Sequence, residues 1–166
     1  MPFPLYTQRL VIDEVTESDA PDILALLNEA EFIRNIADRG VRTMAQAIDY
    51  INQGPRASYQ QYGHGLWRVR LQDGPMIGLC GLLYRDYLAI PDVGYGFMQR
   101  YGGQGYATEA AAAVVAYGFA ELDMSRICGI VSPHNDASKH ILQKIGLVAC
   151  GQKQSPERSF RSRAAG

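Results

Sequence analysis

Arg100-Tyr101-Gly102-Gly103-Gln104-Gly105-Tyr106-Ala107-Thr108-Glu109 joins a strand-like run, residues 93–98, to a strongly helical run, residues 108–122. Three glycines stand at the junction. Glycine adopts backbone conformations closed to other residues and lets a ligand approach the main chain. A glycine-rich turn that opens a helix presents unpaired backbone N–H groups at the positive end of the helix dipole. Such a turn suits a phosphate or pyrophosphate. The P-loop is excluded, because no Gly-Lys-Ser/Thr follows, and the dinucleotide fingerprint fits poorly, with Thr108 where its third glycine belongs.

Outside this turn the chain reads as one mixed α/β domain over residues 1–166, with a core at about 7–152 and a polar tail at 153–166. Its 166 residues are 47% hydrophobic and 20% charged, enough for a real core. A net charge of -1 gives no field to gather nucleic acid or an anionic membrane, so neither is expected as a partner. No apolar run reaches the ~18 residues that span a bilayer. The opening Met1-Pro2-Phe3-Pro4-Leu5 lacks a secretory pattern, and a cytoplasmic location is expected. Cys80, Cys128 and Cys150 are scattered, which argues against a zinc site or a disulfide framework, and no metal is expected.

Leu10, Ile12 and Val15 read as a first strand, and Ser18-Asp19-Ala20-Pro21-Asp22 as a helix start. Thr43 caps a second helix that Gly54-Pro55 stops. Residues 65–71 and 76–84 form a hairpin about Asp73-Gly74, and residues 92–98 a further strand. A strand at 126–131, a helix at 135–145 ended by Gly146, and a strand opening at Leu147 complete the pattern.

Two ordered motifs carry a family resemblance. Arg100-x-x-Gly103-x-Gly105, continuing through Tyr106-Ala107-Thr108-Glu109-Ala110, resembles the pyrophosphate turn of the GCN5-related N-acetyltransferases (GNAT), in the branch that acetylates ribosomal-protein N-termini. Asn135-Asp136-Ala137-Ser138 followed by Lys144-Ile145-Gly146-Leu147 resembles the family's second element, and Thr7-Gln8-Arg9-Leu10 its opening strand. The resemblance covers residues 7 to about 152. It implies a single mixed, largely antiparallel twisted sheet flanked by helices on both faces. It also implies acetyl-CoA as cosubstrate, a primary amine as acceptor, and a monomer or homodimer.

By that resemblance, Gly102, Gly103, Gln104, Gly105, Tyr106, Ala107 and Thr108 cradle the pyrophosphate, with Thr108 also suited to capping the helix. Tyr95, Gly96 and Phe97 match the strand that pairs with the pantetheine arm, as an added strand would. Gly96 stands where the family is usually bulky, which implies a widened site or a bulge. Asn135 binds the arm or caps its helix. Ser138 is the expected donor to the departing thiolate, because the family's alternative tyrosine position holds Leu142. Asp92 is the candidate general base, with a turn-forming surface aspartate as the plain alternative. Glu109 reads as a surface acid that compensates the helix dipole. Glu29, Glu31 and Asp38 fall in the acceptor segment, where they would attract a cationic amine.

The resemblance implies direct acetyl transfer, since no nucleophile with a paired base is evident. A non-catalytic acyl-CoA-binding or regulatory module of the same fold is the alternative. The family closes with two long paired strands, whereas the polar residues after Gly151 leave the final strand short, supplied by another subunit, or absent.

Overall fold

The hairpin expected at Asp73-Gly74 is present in the computed structural model, which describes residues 3–85, 88–152 and 160–164. Strands β3 (Leu66–Leu71) and β4 (Met76–Leu83) run antiparallel from Leu66↔Gly81 to Arg70↔Met76. The Gly74 N–H donates to the Leu71 carbonyl at 3.1 Å and closes the turn. On one side lie β2 (Leu10–Asp13) and β1 (Leu5–Tyr6). On the other lies β5 (Asp92–Phe97), antiparallel to β4 in unbroken register from Gly78↔Phe97 to Leu83↔Asp92. Strands β6 (Cys128–Val131), β7 (Leu147–Gln152) and β8 (Phe160–Ala164) complete one sheet in the order β1-β2-β3-β4-β5-β6-β8-β7.

Every strand contact is antiparallel except β5 to β6. The final strand is therefore neither absent nor borrowed. Residues 160–164, assigned to a polar tail by composition, pair with β6 on one side and β7 on the other. Alternating Arg161, Ser162 and Arg163 conceal a strand from hydropathy, because backbone pairing needs no apolar side chain.

Helices cover both faces. On one face α1 (Ala20–Leu27), α2 (Ala30–Asn35) and α3 (Met44–Ile51) enclose Ile23, Leu26, Leu27, Phe32, Ala47 and Ile51 with Leu79 and Met98. On the other, α5 (Tyr106–Glu121) and α6 (Asp136–Lys144) pack Ala110, Ala111, Val114 and Leu142 against Trp67, Val69, Cys80, Leu82 and Val93. Thr43 caps α3 as expected: the Gln46 N–H donates to its hydroxyl at 3.1 Å, and the Gln46 amide returns the contact to the Thr43 N–H. Gly54-Pro55 does not stop that helix. The chain widens into a π-helical turn at Asn52–Arg56, buries Pro55, and continues into α4 (Ala57–Tyr62). A wide turn absorbs the proline ring and its missing N–H without ending the helix.

Candidate active site

The site is built where the sheet opens. Strands β5 and β6 are the parallel pair, and their register holds at Asp92↔Cys128 alone. Beyond it they part, and β5 keeps a backbone edge facing the gap. One cleft runs through this gap and is lined from both faces of the sheet: Phe32 and Ile36 on one side, Ser138 and Ile141 on the other, with Tyr95, Gly96 and Phe97 between. Strand alternation puts Asp92, Gly94 and Gly96 on the α2 face and Val93, Tyr95 and Phe97 on the α5/α6 face.

Of the residues expected at the site, Asp92, Tyr95, Gly96, Phe97, Ala107, Asn135 and Ser138 line this cleft together. Gly102, Gly103, Gln104 and Gly105 form the solvent-facing turn before α5, and Tyr106 and Thr108 lie in its first turn. Gly103 and Gly105 have φ of 74° and 82°, in the left-handed region where a side chain would be strained. Because the helix begins at Tyr106 with Gly105 as its cap, Thr108 is an internal residue of the first turn and not the N-cap. The N–H groups of Tyr106, Ala107 and Thr108 have no intrahelical acceptor by helix geometry, an arrangement that suits an anion.

The base of the cleft holds a hydroxyl pair. Tyr95 Oη lies 2.7 Å from Ser138 Oγ, a contact in which either hydroxyl can donate, and 3.2 Å from the Ser138 carbonyl. Burial pushes the Tyr95 phenol well above its ordinary range, outweighing the opposing hydrogen bond from Ser138, so it stays protonated. Asn135 caps α6, accepting the Ser138 N–H at 3.1 Å, and this fixes the first turn that carries Ser138. Leu142 is 1% exposed and packs where a Cβ on Gly129 would meet its Cδ2 at 2.6 Å; it belongs to the core.

Asp92 is no surface turn residue. Its side chain is 2% exposed and accepts from Arg85 Nε at 3.0 Å. Gly96 neither widens the site nor marks a bulge. A Cβ there would sit 2.8 Å from Phe32 Cε2 and 3.0 Å from Ile36 Cδ1, so α2 lies directly on the strand. The acceptor-segment acids all have protein partners, and Glu31 also lines the cleft. Glu29 holds the Gln99 N–H at 2.9 Å, Glu31 pairs with Arg34 and Asn35, and Asp38 takes a two-pronged contact from Arg42. The Arg42 contact holds the Asp38 carboxyl below its ordinary value.

Sequence reasoning missed two features. The Tyr95 hydroxyl reaches α6 only because β5 presents it on the α5/α6 face, a fact that alternation from Gly96 could have supplied. Glu109 is no free surface acid: Thr7 Oγ1, the Arg9 N–H and Arg9 Nε all donate to it, at 2.5, 2.9 and 2.7 Å. The Thr7-x-Arg9 opening was a signal for that contact. Among the described residues no group of three or more His, Cys, Asp or Glu could hold a metal, and no helix is long and apolar enough to cross a membrane.

A helix-covered sheet opened between two parallel strands, with a glycine-rich helix start at one end of the gap and hydroxyls inside it, is an acetyltransferase architecture. The chain belongs to the GNAT family: the acetyltransferase (GNAT) domain model matches residues 9–148. It is 32% identical over 150 residues to the uncharacterized N-acetyltransferase YoaA of Bacillus subtilis, covering 87% of this chain and 83% of that protein. Its fold is similar to an acetyltransferase from Agrobacterium tumefaciens, with TM-score 0.85, 21% identity, and coverage of 100% and 95%. It is similar also to RimL, a ribosomal L7/L12 alpha-N-protein acetyltransferase solved with coenzyme A, with TM-score 0.80, 16% identity, and coverage of 95% and 93%.

Proposed function

We propose that this protein transfers the acetyl group of acetyl-CoA directly to a primary amine, on a protein N-terminus or a small molecule. The observation that carries this is the gap between β5 and β6, lined from both faces of the sheet. The donor enters from the α5 end. Its pyrophosphate rests on the N–H groups of the glycine-rich turn, and its arm pairs with the free edge at Tyr95, Gly96 and Phe97. The RimL structure, solved with coenzyme A, has the same fold and supports this choice of donor. The amine approaches from the α2 face, where Asp92 lies.

The amine nitrogen attacks the thioester carbonyl. The new C–N bond forms, the carbonyl oxygen becomes an oxyanion, and β5 N–H groups facing the gap stabilise it. Collapse breaks the C–S bond. Ser138, backed by the Tyr95 hydroxyl, donates a hydrogen bond to the departing thiolate, while the proton lost by nitrogen passes to Asp92 directly or through water. Most of the acceleration comes from holding amine and thioester together, an effect worth up to ~7–11 kcal/mol.

The test combines calorimetry with CoA and thiol release from acetyl-CoA against a panel of amines and N-terminal peptides. Micromolar CoA binding and amine-dependent thiol release are expected. Binding without release by any amine would replace the enzyme with a CoA-binding module, and absence of CoA binding would remove the donor assignment.

A further inference from the structure

The glycine-rich turn is braced from behind by a segment far away in sequence. Arg9 Nη1 donates to the Gln104 carbonyl at 2.9 Å, and Arg9 Nε to Glu109 Oε1 at 2.7 Å. The guanidinium also lies 4.3 Å from the centre of the Tyr106 ring. Glu109 Oε2 accepts from the Arg9 N–H at 2.9 Å and from Thr7 Oγ1 at 2.5 Å. Thr7 Oγ1 in turn accepts the Leu10 N–H at 3.0 Å, anchoring the brace at the start of β2.

The brace acts on the peptide that matters most. A trans peptide is planar, with its C=O and N–H pointing in opposite directions. Arg9 holds the Gln104 carbonyl, so the N–H of Gly105 faces the other way, away from Arg9. Gly105, which supplies that N–H, has φ of 82°, and Gly103, just before Gln104, has φ of 74°; unbraced, glycines have the widest conformational freedom of any residue. Glu109 also sits in the first turn of α5, where an unpaired carboxylate would compete with a bound anion for the helix dipole. Pairing with Arg9 removes that competition.

We propose that Thr7, Arg9 and Glu109 are positioning residues that hold the Gln104–Gly105 peptide in the orientation that receives the pyrophosphate of the donor. This rests on the acetyl-CoA assignment above. The brace predicts that its loss weakens recognition of the pyrophosphate and leaves recognition of the pantetheine arm alone.

The test is calorimetry with CoA and with pantetheine, which keeps the arm and lacks the pyrophosphate. Arg9→Ala and Glu109→Gln should each raise the CoA Kd about tenfold, equivalent to about 1.4 kcal/mol. The pantetheine Kd should change less than about twofold. Thr7→Val, nearly isosteric, should raise the CoA Kd roughly threefold and serves if either charge variant fails to fold. An unchanged CoA Kd, or equal weakening of both ligands, would overturn the brace. Wild-type protein that binds CoA no better than pantetheine would instead remove the pyrophosphate cradle, and the inference with it. Intact CoA binding without amine-dependent acetyl transfer would count only against the reaction.

Discussion

Replacing Tyr95 by Phe and Ser138 by Ala, singly and together, tests whether the two hydroxyls act as one device. In the proposed reaction Ser138 bonds the developing thiolate, and a hydrogen bond to a charged group contributes about 1.5–3 kcal/mol. At 1.36 kcal/mol per tenfold, Ser138→Ala should lower kcat roughly 10- to 100-fold. Tyr95 acts through Ser138 across a neutral hydroxyl pair 2.7 Å apart. Such a bond contributes about 1 kcal/mol, so Tyr95→Phe should lower kcat about fivefold. If the pair is a relay, the double variant should be no worse than Ser138→Ala, with a coupling of about 1 kcal/mol. The assay is thiol release at saturating acetyl-CoA with the acceptor found by screening. The Tyr95 phenol is pushed upward by burial and remains protonated, so the Tyr95→Phe deficit should stay constant up to about pH 10, the ordinary tyrosine value. Multiplying losses would refute the relay. A Tyr95→Phe loss exceeding that of Ser138→Ala would make the phenol itself the donor.

Gly96→Ala places a methyl 2.8 Å from Phe32 Cε2 and should cost about 1–3 kcal/mol in a thermal melt. It should raise the acceptor KM while sparing CoA affinity, since the displaced helix α2 lies on the side proposed for the amine. Gly81→Ala is harsher, because its Cβ would lie 1.8 Å from the Gly65 carbonyl oxygen, a backbone atom. Destabilisation above about 3 kcal/mol, a Tm drop near 10 °C or insoluble expression, is expected. Burial tends to raise the Glu109 carboxyl, but hydrogen bonds from Thr7 and Arg9 prevail and hold it below 4.5. A depressed carboxyl stabilises above its unfolded value and loses that contribution as pH falls through the folded one. The Tm advantage of wild type over Glu109→Gln should therefore hold from pH 7 down to about 4.5 and shrink as pH falls below it.

Much of the fold was readable because local chemistry agreed with the tertiary answer. Asp73-Gly74 could only turn a hairpin, and Asn135 could cap a helix without knowledge of its neighbours. The glycine-rich turn before α5 was legible for the same reason, since glycines and a helix start are local features. What escaped depended on partners distant in sequence. Gly96 was read as space or a bulge because nothing in residues 92–98 tells that Phe32 packs on it. Asp92 was weighed as a turn residue because Arg85 makes it a buried ion pair only once β5 pairs with β4. Glu109 looked solvated until the fold brought in Arg9, 100 positions away. Pro55 misled because its ring is tolerated by a π turn that sequence patterns do not announce.

Strand β8 has a bearing on how the molecule comes into being. It is synthesised after β6, α6 and β7, yet it lies between β6 and β7 in the sheet. On a ribosome adding ~5–20 residues per second, β1 to β5 can assemble as the chain emerges. The half that carries α6 has to wait, with β6 and β7 held apart or wrongly joined, until residues 160–164 arrive to separate them. Nascent chains stalled before residue 160 should therefore carry a formed N-terminal half and an open, chaperone-accessible seam beside Ser138. A stop codon there would remove an interior plank, not trim an edge.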